Sequence, residues 1–104
     1  GPQGMQELAR LNLEKAHDAR ERLLELPWIS AAFDQPFFNE FTLRYDDAMN
    51  LDTIHRTLDT AGILGGFPLR EWYPAMPQAS LWCVTEVIRR EDIDRVIETL
   101  KGFR

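Results

Sequence analysis

The sequence predicts an α+β domain of two layers, a mainly antiparallel sheet with helices packed on one face. Three observations lead there. Apolar residues recur at three- and four-residue steps over residues 5–26, 51–61 and 91–100. Residues 37–45 alternate instead, and residues 81–88 form an apolar, β-rich run too short for a helix. The two kinds of pattern mix without strict β-α-β alternation.

The first helix is rich in Leu, Ala, Glu and Arg, which are good helix formers. Met5, Leu8, Asn12, Ala16, Ala19, Leu23 and Leu26 define its core stripe, and Pro27 ends it. Gly1-Pro2-Gln3-Gly4 reads as a remnant of tag removal, so residues 5–104 are taken as the single domain. The helix lacks an N-cap signal, and the expectation is that it continues upstream in a larger protein.

Residues 28–33 read as a short strand, with Asp34-Gln35-Pro36 as the turn after it. Phe37, Asn39, Phe41, Leu43 and Tyr45 then mark the buried face of a second strand; Phe38, Glu40, Thr42 and Arg44 mark the other. Asn50 is the expected N-cap of the second helix, Leu51, Ile54, Leu58 and Ala61 its stripe, and Gly62 its closing glycine. A further short strand is expected at Ile63-Leu64, and a central one over residues 81–88. The last helix buries Ile93, Val96, Ile97 and Leu100, with Glu91 and Asp92 suited to its first turn.

Residues 62–74 crowd three glycines, two prolines and the aromatics Trp72 and Tyr73 into a stretch with no helical or strand period. Such a loop holds one shape and presents side chains on rigid ground. The plainer reading is a long crossover whose aromatics cap the core.

At 104 residues the chain is one domain, large enough for one core and too small for much enclosed space. Its formal net charge of −5 argues against a nucleic-acid or anionic-membrane surface. Cys83 is the single cysteine, which excludes an internal disulfide and a cysteine-based metal cluster; its apolar setting predicts a small buried hydrophobe. No apolar run approaches a membrane span, and a cytoplasmic location is the expectation. His17 and His55 stand on different helices without carboxylates at metal spacing, so both read as structural.

Four segments carry a family resemblance: Asn12-Leu13-Glu14-Lys15-Ala16-His17, Pro36-Phe37-Phe38-Asn39-Glu40-Phe41, Gly62-Ile63-Leu64-Gly65-Gly66-Phe67-Pro68-Leu69 with Tyr73-Pro74, and Cys83-Val84-Thr85-Glu86. In this order and spacing they resemble the C-terminal domain of subunit 1 of the two-subunit glycine dehydrogenase (decarboxylating), the P-protein of the glycine cleavage system. The run Glu91-Asp92-Ile93-Asp94-Arg95 fits the same family. The sequence departs from the family's usual pattern at Arg70-Glu71-Trp72, at Pro77-Gln78 and at Arg89-Arg90.

The resemblance implies the small domain of a fold-type-I pyridoxal-phosphate (PLP) enzyme. In that family PLP is the electron sink for glycine decarboxylation, and the aminomethyl group passes to the lipoylated H-protein. The cofactor lysine belongs to subunit 2. The implied partners are therefore P-protein subunit 2 and the H-protein, with neither nucleic acid nor membrane. No cofactor is expected on this chain itself. Lys15 and Lys101 are its only lysines, both on amphipathic helices where a solvated ammonium is the ordinary case. The chain alone is expected to be no catalyst.

Candidate contacts to the missing parts are Asn39, Glu40, Gly65, Gly66, Arg70, Tyr73, Thr85 and Glu86. Asn39 and Glu40 interrupt an apolar strand and need polar partners: the Gly62–Gly66 backbone, solvent at an edge strand, or the large domain or partner subunit near the active site. Thr85 and Glu86 pose the same question on the next strand. Arg44 and Arg70 could hold a carboxylate bidentately, but a tight clamp on the departing carboxylate would oppose decarboxylation. An exposed docking face is expected, through which the isolated chain could self-associate. The rival reading is an autonomous α+β module that binds a small ligand or dimerises through a sheet edge.

Overall fold

The computed structural model of the chain describes residues 2–33, 39–60, 66–84 and 88–103. Helix α1 (Pro2–Leu24) leads into strands β1 (Ile29–Ala31) and β2 (Glu40–Tyr45). Helix α2 (Leu51–Thr60), strands β3 (Phe67–Pro68) and β4 (Ala79–Cys83), and helix α3 (Arg90–Lys101) follow. The sheet order is β1-β2-β4-β3, and every neighbouring pair is antiparallel.

The alternation in β2 decides which side of the sheet is covered. Phe41, Leu43 and Tyr45 are buried, whereas Glu40 and Arg44 are exposed. Register places Phe41 opposite Trp82, Leu43 opposite Ser80 and Tyr45 opposite Ile29. These inward apolar residues form one core with Ala16, Ala19 and Leu23 of α1, Ile54 and Leu58 of α2, and the predicted stripe of α3. All three helices therefore pack on the same face, the two-layer arrangement that the sequence predicts. Trp28 meets Tyr45 and Phe103 edge-on, with ring centres 5.6 and 6.1 Å apart.

The helix ends follow from their local chemistry. Asn50 caps α2 as expected, its side-chain oxygen accepting the N–H of Thr53 at 2.9 Å. At α3 the Asp92 carboxylate reaches back to the Arg89 backbone N–H at 2.9 Å. That bond, with the nearby arginines, holds its carboxyl below the usual carboxylate range.

Several boundaries differ from those read in the sequence. Helix α1 takes in Pro2 to Gly4 and stops at Leu24, before the chain turns through Leu26 and Pro27. Only the second half of its expected stripe is buried. Met5 is 75% exposed, and Leu8 and Leu11 are exposed as well. A 23-residue helix is about 34 Å long, at 1.5 Å per residue, and outruns a molecule 27 × 23 Å in its shorter dimensions. Among the described residues nothing buries its first turns.

Strand β4 starts two residues before the apolar run, because Ala79 and Ser80 pair with Arg44 and Leu43. The partner strand sets its start, while the hydrophobic pattern does not. Strand β3 falls at Phe67–Pro68, within the stretch that shows no strand period. The expected strand at Ile63-Leu64, the turn at Asp34-Gln35-Pro36 and the closing Gly62 lie outside the described residues. Among the described residues no helix is long and apolar enough to cross a membrane.

Candidate functional site

The pleat that buries Phe41, Leu43 and Tyr45 turns the alternate residues of the sheet outward. Glu40 stands opposite Cys83, Thr42 opposite Leu81, and Leu81 opposite Phe67. This open face is a mixed surface of Phe67, Leu81 and Cys83 beside Glu40, Thr42 and Arg44. Phe67 is about half exposed. Among the described residues no helix covers this side.

The structure splits the candidate residues between the two ends of that face. At one end, Asn39 precedes β2. Its backbone carbonyl accepts the N–H of Val84 at 2.8 Å, and its side-chain amide reaches the sulfur of Cys83 at 3.9 Å. Glu40 is exposed beside them. Cys83 is also exposed, not the buried hydrophobe expected, because its place in the pleat is on the open face. Partial burial, with the Glu40 charge added, pushes its thiol up, which disfavours a thiolate nucleophile.

At the other end, Leu69 extends the ladder by donating its N–H to the carbonyl of Ala79 at 3.0 Å. The chain then coils tightly, with the N–H groups of Trp72 and Tyr73 both reaching the carbonyl of Leu69. Trp72 is 65% exposed and Tyr73 is 59% exposed, so these aromatics do not cap the core. Arg70 is paired with Asp52 of α2 and pins this turn to the helix. The guanidinium holds the Asp52 carboxyl below the usual carboxylate range. Replacing Arg70 with alanine is expected to return the Asp52 titration toward that range, as read by carboxyl NMR. An unmoved titration would mean the pair does not form in solution.

Gly66 lies between the two ends, with φ of +85°. Gly65, Thr85 and Glu86 lie outside the described residues. Arg44 is paired with Asp47 at 2.9 Å, on the open face but already engaged.

Neither lysine fits the role of holding PLP. The Lys15 ammonium donates to the backbone carbonyl of Ile88, and Lys101 meets Glu98 at 3.3 Å. Among the described residues no group of three or more acidic, histidine or cysteine side chains could hold a metal ion.

One polar arrangement was not legible in the sequence. The His55 ring nitrogen Nε2 lies 2.8 Å from the hydroxyl of Ser80. Beside it, the buried Tyr45 hydroxyl accepts the Trp82 indole N–H at 3.0 Å. Ser80 has no exposed surface, so no substrate reaches it and the pair is no nucleophile and base. Period two does turn Tyr45 and Trp82 inward, but nothing in the sequence connects them to a histidine on a helix.

No family model matches the chain. It is 42% identical over 97 residues to a probable glycine dehydrogenase (decarboxylating) subunit 1 of Desulfitobacterium hafniense, covering 93% of this chain and 21% of that protein. The corresponding probable subunit of Thermotoga maritima is 38% identical over 101 residues, covering 97% of this chain and 22% of the relative. The chain thus spans about a fifth of the length of the curated relatives it matches. Among solved structures, glycine decarboxylase (P-protein) of the glycine cleavage system, in inhibitor-bound form, superposes with a TM-score of 0.80 at 33% identity. That match covers 97% of this chain and 22% of the other. A C-DES mutant with glycine covalently linked to its PLP cofactor superposes with a TM-score of 0.74 over 95% of this chain and 24% of its own. Its identity is 16%, which supports likeness of fold alone.

Proposed function

From a chain that resembles glycine dehydrogenase (decarboxylating) subunit 1 along nearly its whole length, we propose that it is the C-terminal small domain of such a subunit. It helps to form the site where PLP-bound glycine is decarboxylated and the aminomethyl group passes to the lipoylated H-protein. The observation that carries this reading is the fit of almost the entire chain onto a minor part of a P-protein. The uncovered sheet face agrees with it, since an isolated domain has no need of Phe67 and Leu81 on its surface.

In this reading the domain shapes and closes a site assembled elsewhere. The open face seats the remainder of the subunit or its partner, and its apolar residues exclude water from the joint. Asn39 and Glu40 supply polar contacts at one rim; Arg70 and Tyr73 do so at the other. Gly66 lets the backbone stay close to β4, and Gly65, Thr85 and Glu86 are proposed as further contacts. PLP supplies the electron sink when bound, and its lysine belongs to subunit 2. Since Lys15 and Lys101 do not fit that group, no step is assigned to residues of this chain. The domain acts in the cytoplasm and is not catalytic by itself.

The test is absorbance spectroscopy of the purified chain with PLP, before and after glycine, beside the same assay on a complete two-subunit enzyme. A glycine-sensitive band from the complete enzyme alone is the expected result. A saturable, glycine-sensitive band from this chain would overturn the reading, because Lys15 or Lys101 would then be reactive.

A further inference from the structure

The apolar stripe of α1 does not stop where the core stops. Met5, Leu8, Ala16, Ala19 and Leu23 share one side of the helix. Ala16, Ala19 and Leu23 are buried, and Asn12 is half-buried. Leu8 and Met5, on the same line upstream, are exposed, as is Leu11 at its flank. The opposite side of these turns is charged, with Arg10 paired to both Glu7 and Glu14. The upstream turns are thus as two-sided as the downstream ones, and among the described residues their apolar side is uncovered.

The helix is anchored only as far as Lys15. That ammonium donates to the carbonyl of Ile88, Asp18 meets Arg90 at 3.5 Å, and Arg22 meets Asp94 at 2.5 Å. These ties follow the same order along both helices, so α1 and the start of α3 run side by side in one direction. Met5 lies a further ten residues upstream of Lys15, about 15 Å at 1.5 Å per residue, beyond the first turn of α3.

The size of the uncovered patch says what kind of body covers it. Three side chains make an apolar patch on the order of 300 Å². Separate chains that associate specifically bury about 1,200 Å² or more. A second copy, or a partner subunit, would gain too little from this patch. A body joined to the same chain needs much less, because its effective concentration is already high. The relatives carry such a body: the match takes in nearly all of this chain and leaves about four-fifths of their length uncovered.

We infer that the side of α1 bearing Met5, Leu8 and Leu11 is a docking surface for the remainder of its own subunit, which continues the core beneath the overhanging turns. This rests on the small-domain reading and divides the two uncovered surfaces between two occupants. The α1 stripe, in the helix layer, serves contact within the subunit. The open face, on the other side of the sheet, is left to a separate chain.

The test is amide hydrogen exchange over residues 6–13, in the isolated chain and in the full-length subunit that carries it, alone and with subunit 2. The expected result is fast exchange in the isolated chain at any concentration, slowed about tenfold or more in the subunit alone and no further by subunit 2. Leu8→Asp is expected to abolish that slowing, and Gln6→Asp, on the charged side, to leave it. Slowing that needs subunit 2, or that appears in the isolated chain as its concentration rises, overturns the inference, because a separate chain is then the cover. Exchange as fast in the subunit as in the isolated chain, or slowing that survives Leu8→Asp, overturns it too. Such a result in an enzyme that keeps its glycine-sensitive band leaves the small-domain reading standing; a band from the isolated chain would overturn that reading instead.

Discussion

Replacing Gly66 with alanine lowers the stability of the chain by about 2–4 kcal/mol. Two separate costs combine at this position. Its φ of +85° is a conformation that L side chains rarely adopt. A Cβ built there would lie 2.7 Å from the backbone oxygen of Leu81, inside any real carbon–oxygen contact. A flexible side chain could swing away, but the Leu81 carbonyl belongs to the interior strand of the sheet. The relief has to come from displacing β3 and the turn it carries. Gly102→Ala is the control: at φ of −72°, its added carbon would meet only the Thr99 carbonyl, at 3.4 Å. That change is expected to stay within about 1 kcal/mol. Urea unfolding of both variants decides the matter, and equal midpoints would mean the close approach of Gly66 to β4 is not kept in solution.

Leu58→Ala has the other large expected effect, a loss of about 2–5 kcal/mol. Leu58 has no exposed surface and lies in the core that α2 shares with the sheet and α3. Removing its branched end leaves a cavity that close-packed neighbours fill only in part. Set against the stability of an ordinary domain, about 5–15 kcal/mol, this is a large fraction. Leu8→Ala on the projecting part of α1 is expected to cost no more than about 0.5 kcal/mol. Equal losses at Leu8 and Leu58 would mean that the first turns of α1 are packed in solution, as the sequence stripe alone suggests.

That contrast marks where the sequence could be read and where it could not. Period two in β2 placed Phe41, Leu43 and Tyr45 correctly, because one face of this sheet is covered and the other is open. The stripe of α3 was equally legible, since every residue in it meets the core. The stripe of α1 was misleading: periodicity records which way side chains point, not whether anything lies there to meet them. Cys83 failed for the opposite reason. Its neighbours Trp82 and Val84 are buried, yet the pleat turns the residue between them outward. The exposed aromatics Trp72 and Tyr73 follow a turn whose course depends on Arg70 reaching a helix 18 positions earlier. The link from His55 to Ser80 joins a helix to a strand across 25 residues, beyond any local pattern.

The shape of the sheet's margins narrows how anything can approach it. The outermost strands among the described residues are β1, with three residues, and β3, with two. One of the two in β3 is Pro68, which has no N–H to offer. Strand addition needs a row of free donors and acceptors, and among the described residues neither margin supplies a long one. A second chain therefore gains little by extending this sheet, whether in a specific pair or in an aggregate. Dimerisation through a sheet edge, which a free-standing module could use, is disfavoured on these grounds. In the proposed role, association would use the broad side instead, where selectivity comes from side chains and not from backbone pairing.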